Sequence, residues 1–153
     1  MVKEKLTRGI RNNNPFNIIK SQIAWYGEVS ILNGCTDKKF EQFYSMEYGY
    51  RAGIKLLYNY FRNGINSIRS VLSRFAPETE NDLSAYVDFV ASRVDYPENK
   101  PIYDFTIFIL ICKYICMFES QVNVNVDYLV SLVRKHLPYV ENFFGDSTSN
   151  IDR

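Results

Sequence analysis

Glu119 is the residue from which chemistry could start. It follows Phe105–Phe118, fourteen residues that are nearly all apolar, with Lys113 the only charge. A run of that length falls short of the ~20 apolar residues that span a bilayer. It predicts instead a helix, Phe105–Ser120, at the centre of a globular core. A carboxyl emerging at the end of such a helix is half-surrounded by apolar side chains. Its charged form is then disfavoured and its pKa rises, the condition for a general acid near neutrality. From spacing alone, the plainer expectation is an ordinary helix-end glutamate.

The composition narrows the class. At 153 residues the chain has room for one domain with a real core and hardly for two. Apolar residues make up 46%, as in a soluble globule, and aromatics a high 16%. A tyrosine-rich cleft suits sugars, whose faces stack on rings and whose hydroxyls bond phenols, although tyrosine also fills cores. The net charge of +1, with basic residues scattered, gives no electrostatic case for nucleic acid. Cys35, Cys112 and Cys116 lack metal-ligand spacing. Cys112 and Cys116 stand one helical turn apart and are expected to pack as small hydrophobes. His136 is the sole histidine, which argues against a histidine-based triad or a histidine-rich metal site. With no P-loop, dinucleotide fingerprint, HExxH or EF-hand pattern, no cofactor and no metal are expected. The N-terminal segment starts basic but has no apolar stretch, so a product made in the cytoplasm without a secretory signal is expected.

The elements that must position Glu119 follow from the patterning. Arg8–Ile18 carries three consecutive asparagines and a proline, which favour a turn whose side-chain amides serve the local backbone. Ile18–Leu32 reads as strand material around Trp25, Asn33-Gly34 as a turn, and Lys39–Phe43 as the return strand of a small flap. From Ser45 the period becomes helical. Met46, Tyr50, Ile54, Leu57 and Phe61 form one apolar stripe ending at Asn63-Gly64. Asn66 or Ser67 opens a second helix through Phe75, stopped before Pro77. Thr79 and Asp82 have capping-box spacing ahead of a third helix bearing Tyr86. After the central helix, Asn125 caps a last helix through Leu137. Residues 1–144 thus read as one mainly α (α+β) domain, with about five helices and a small N-terminal β hairpin, and 145–153 as a flexible polar tail. The acidic run Glu78–Asp82 is explained by capping and the helix dipole.

Arg8–Ile18, Trp25 with Gly27, Phe40–Phe61 and Arg74–Ala91 together resemble a family of small phage and prophage proteins, virion-associated and cell-wall-degrading. The likeness is colinear over roughly residues 8–95. That family usually has glycine where Phe16 stands, and ends in a helix carrying a His-Glu-Asn-Gly tetrad where this chain reads Phe118-Glu119-Ser120-Gln121. A more distant similarity is to glucosaminidases and lytic transglycosylases of the lysozyme superfamily. Asn13–Ile18, Trp25-x-Gly27, Phe40–Phe43 and Ala85-Tyr86 follow their motif order. Their catalytic helix precedes these motifs, whereas the matching helix here follows them, as a circular permutation would produce.

The resemblance implies a lysozyme-like fold and a peptidoglycan hydrolase whose partner is the glycan strand, with no nucleic acid and no membrane insertion. It would act at the cell wall, in the periplasm or from a phage particle. Glu119 would be the single general acid of a muramidase, glucosaminidase or lytic transglycosylase. Asn13, Asn14, Asn17, Trp25 and Tyr86 would contact substrate, though for each a structural role is the simpler expectation: the asparagines hold the turn, Trp25 pins the flap and Tyr86 fills core. A standard hydrolase needs a second carboxylate, ~5 Å away in retaining enzymes and ~6.5–9.5 Å in inverting ones. Glu28, Asp37, Glu41 and Glu47 are the candidates. The rival expectation is a non-catalytic virion structural or wall-binding protein of the same fold, favoured by the missing Asn-Gly after Glu119.

Overall fold

The structure, a computed structural model, describes residues 6–76 and 82–151. Among them are α1 (Arg8–Arg11), α2 (Met46–Arg62), α3 (Ile68–Phe75), α4 (Leu83–Val94), α5 (Phe105–Ser120), α6 (Val126–His136) and α7 (Pro138–Ile151). The fold is mainly α. Six of these helices start on the same device: the side-chain oxygens of Thr7, Ser45, Ser67, Asp82, Asp104 and Asn125 each accept a backbone N–H of the first turn. Thr79, the other half of the expected capping pair, lies outside the described residues.

α5 occupies the centre and has the expected bounds. It packs against α1, α2, α4, α6 and α7. Phe108, Ile109, Ile111, Cys112, Ile115 and Cys116 are wholly buried along it, and burial pushes both thiols well above their ordinary range. Among the described residues no helix is long and apolar enough to cross a membrane.

The chain's two ends depart from the sequence pattern. The chain breaks at Leu137 and restarts as α7 at Pro138, a residue tolerated in the first turn because its missing N–H is unpaired there anyway. Val140 and Phe144 of α7 are buried. The helix then continues past Gly145 to Ile151, where the sequence suggested an unstructured tail. At the other end, the expected β hairpin is not built as strands. Between α1 and α2 there are two isolated antiparallel bridges, Ile19–Phe40 and Glu28–Phe43, and a single 3-10 turn at Ile31–Asn33. The cause is local competition for backbone donors. Asp37 takes the N–H groups of Lys39 and Phe40, Gln42 takes that of Thr36, and Glu28 takes that of Trp25. A ladder cannot propagate through donors already engaged.

Candidate active site

The asparagine turn is where the N-terminal segment meets the end of α5. Asn13 and Asn17 both adopt left-handed backbone conformations, at φ 53° and 52°, which asparagine tolerates better than most residues. Asn14 is fully buried. Its Nδ2 donates to the carbonyls of Ile18 and Glu41, both at 3.0 Å, and its Oδ1 accepts from Ile18 N at 2.9 Å. Asn13 Nδ2 donates to Phe43 O at 3.0 Å. These two side chains are therefore engaged in holding the turn to the segment that returns from the flap.

α5 ends against this turn. Its last residue, Ser120, is fully buried and donates through Oγ to Pro15 O at 2.8 Å, while Thr7 Oγ1 donates to Ser120 O at 2.8 Å. A Cβ on Gly9 would collide with the Ser120 hydroxyl, so glycine is what lets α1 approach so closely. Gln121 then caps the helix in the left-handed region, donating to Met117 O.

Glu119 is consequently fixed beside Asn17 and Tyr86. Asn17 Nδ2 donates to Glu119 O at 2.9 Å and to Oε1 at 3.3 Å, and Tyr86 Oη donates to Oε2 at 2.7 Å. Tyr86 is fully buried and stacks on Phe118, with ring centroids 3.8 Å apart and planes 20° from parallel. Burial raises the Glu119 pKa above the usual carboxylate range; the Tyr86 and Asn17 hydrogen bonds oppose this only partly. Among the described residues no cation is paired with it. Burial, reinforced by the Glu119 carboxylate, also holds the Tyr86 phenol well above its ordinary range, so Tyr86 stays a donor.

Asn17 faces two ways, because it also lines a cavity of about 190 Å³ with Ile18, Trp25, Leu56, Tyr60 and Phe75 among its walls. Trp25 is buried at 8% exposure. Three of the candidate residues, Glu119, Asn17 and Tyr86, thus form one hydrogen-bonded group, and Trp25 shares the cavity wall with Asn17. The parts that sequence did not single out are Thr7 and Ser120, which anchor the helix end, and Leu56, Tyr60 and Phe75. Ser120 had a usable signal in its position directly after the acid; Phe75 had none beyond its place at the end of the second helix, and Leu56 and Tyr60 lie off the expected apolar stripe.

The other carboxylates have separate engagements. Asp37 accepts both Arg8 nitrogens, at 2.7 and 2.8 Å, together with Asn12 Nδ2, and the Arg8 guanidinium holds its carboxyl far below the ordinary range. Lys20 Nζ donates to the Asp37 carbonyl. Glu47 Oε1 lies 2.6 Å from His136 Nε2. Glu41 is only 3% exposed, and its Oε2 has no hydrogen-bond partner among the described residues. Desolvation, then the neighbouring Glu28 carboxyl, push its pKa up to about 7 against the pull of Lys20.

No family model matches the chain. Protein P5 of Pseudoalteromonas phage PM2 is 39% identical over 103 residues, covering 65% of this chain and 62% of that protein. The chain therefore spans less than two thirds of the length of this curated relative, and a phage protein stands among its relatives.

Proposed function

We propose that this protein cleaves the MurNAc–GlcNAc backbone of peptidoglycan, with Glu119 as the proton donor. The observation that carries this reading is the environment of that carboxyl. It lies at the end of the central helix, raised by burial and unpaired with any described cation, with its oxygens oriented by Asn17 and Tyr86. Burial favours the protonated acid before reaction. As positive charge develops on the sugar ring, Glu119 passes its proton to the leaving glycosidic oxygen. The Tyr86 and Asn17 donors then stabilise the carboxylate that remains. The same carboxylate next takes a proton from whichever hydroxyl attacks, water in a hydrolase or the muramic acid's own hydroxyl in a lytic transglycosylase. The second route asks less of this site, since it needs one carboxyl where a standard hydrolase needs two. The similarity to a phage protein suits an enzyme that opens a bacterial wall, carried in a particle or released at lysis.

The test is loss of turbidity of purified sacculi. Wild type clears them, and Glu119→Gln clears them at least ~100-fold more slowly, the usual scale for losing a general acid. Equal clearing by the two would remove Glu119 from the chemistry. Anhydro-muramic ends among the products, read by mass spectrometry, mark the transglycosylase route. A second reading has its own support, because the Glu119 hydrogen bonds also tie α5 to α4 and to the asparagine turn. A non-catalytic virion or wall-binding protein would use the residue as that clamp, and neither form would then clear sacculi.

A further inference from the structure

A second concavity, of about 280 Å³, is lined by Tyr26, Glu47, Tyr48, Arg51, Lys135 and His136. Trp25 and Tyr26 are consecutive, yet each lines a different cavity, and Glu119, Asn17 and Tyr86 are not among the walls of this one. It is separate from the proposed acid, and its chemistry does not depend on the glycan reading. Its charges do not balance. The carboxylate of the wall is engaged, since Glu47 Oε1 lies 2.6 Å from His136 Nε2, and with His136 protonated that pair is neutral. Arg51 and Lys135 have no anionic partner among the described residues. Helix dipoles do not supply the missing charge. Glu47 and Tyr48 stand in the first turn of α2 and Lys135 and His136 in the last turn of α6, so a positive and a negative helix end offset each other.

Arg51 is held in place without using its donors. Its guanidinium carbon lies 4.7 Å from the centroid of the Tyr26 ring, a contact that engages the ring face and leaves the N–H edge unspent. Tyr26 in turn packs on Tyr48, with centroids 5.7 Å apart. A Cβ on Gly27 would collide with the Tyr48 ring, so glycine is what lets the flap close on it. Gly27, Tyr48, Tyr26 and Arg51 thus form one built stack. The side chains of this wall offer donors almost throughout: a guanidinium, an ammonium and two phenols, against one carboxylate already taken by His136. Such a wall asks for a guest that is all acceptor and negatively charged.

We infer that this concavity is a binding site for a phosphate monoester, with Arg51 and Lys135 on the phosphoryl oxygens and the tyrosines beside them. A monoester carries about −1.5 to −2 at neutral pH and three acceptor oxygens, which answers both unpaired cations, whereas a single carboxylate answers one. The guanidinium fork matches two of those oxygens and the ammonium serves as a point charge for the third. About 280 Å³ is roughly nine waters' share of liquid volume at ~30 Å³ each. That holds a phosphoryl group with a body of a few carbons, not a length of polymer.

The test is isothermal titration of the full chain at pH 7 with glycerol 3-phosphate, inorganic phosphate and glycerate, the last keeping the three-carbon body with a single charge. Glycerol 3-phosphate saturates one site and binds at least ~10-fold more tightly than glycerate. Inorganic phosphate binding as tightly as the ester places recognition in the phosphoryl group alone, and weaker binding brings in the organic body; either result supports the site. Arg51→Gln and Lys135→Gln each weaken the ester at least ~5-fold. Lys38→Gln, in a separate concavity with Arg8 and Asp37, leaves its affinity unchanged. Lys135 is exposed, so its variant keeps the fold and decides the matter if Arg51→Gln loses its circular dichroism. Equal binding of glycerate overturns the monoester assignment. An equal loss in Lys38→Gln means net charge instead of a site, and failure of every anion to saturate removes the site altogether.

Discussion

Two carboxyl groups, Glu119 and Glu41, are raised by burial, and each gives the fold a dependence on pH. A carboxyl whose pKa is higher folded than unfolded binds protons more tightly in the folded state. The folded state is favoured most below the unfolded value, and that advantage drains away as pH rises through the folded value. For Glu41 the window runs from its unfolded value, near 4.5, up to about 7. Glu41→Gln is therefore expected to raise stability by ~1–2 kcal/mol at pH 8, where the charged form is the costly one. At pH 4 it should change little, because the native carboxyl is then neutral in both states. Urea unfolding at the two pH values measures this, and an equal gain at both would show that charge is not the cost. Glu119 has the same sign, and under the proposed acid role activity is expected to fall as pH rises through its folded pKa.

At the scale of the element, the asparagine turn matters more than any helix near it. Asn14 hydrogen-bonds three buried backbone groups, Ile18 N, Ile18 O and Glu41 O. Asn14→Ala removes the partner of Ile18 N and Glu41 O, while Ile18 O keeps the Glu41 N–H at 2.9 Å, and should cost ~2–4 kcal/mol in chemical denaturation, two unsatisfied buried groups at the usual magnitude. A loss below ~0.5 kcal/mol would mean that the turn holds by other contacts. That the turn exists was legible from three asparagines and a proline, which bias the chain toward left-handed residues and side-chain bonds to the backbone. Its neighbour, the flap, was misjudged for a related reason. The alternation at Lys39–Phe43 suggested a strand, while the polar residues Asp37, Gln42 and Glu28 intercept the donors a strand would need. α7 was missed because Leu137-Pro138 looks like a stop in sequence, whereas proline also opens helices.

Across the whole molecule, α5 is the body against which most of the other helices are placed, and Ile115 lies wholly buried on it. Ile115→Ala should cost ~2–5 kcal/mol in thermal or urea unfolding, the range for a large apolar side chain removed from a tight core. The sequence by itself determined this helix, its bounds and its terminal glutamate, because a long apolar run with no charge but Lys113 has few other ways to bury itself. It pointed to the caps at Ser45, Ser67 and Asn125 and to the asparagine turn as well, since both are set by residues within a turn of each other. It did not determine that Asn17, 102 residues away, and Tyr86, 33 residues away, would meet on Glu119. Periodicity and capping report only on near neighbours along the chain. Which of several buried-looking side chains share a hydrogen bond depends on how helices pack, and the tertiary structure alone decided it: Gly9 lets α1 close on Ser120, and α4 brings its tyrosine to the end of α5.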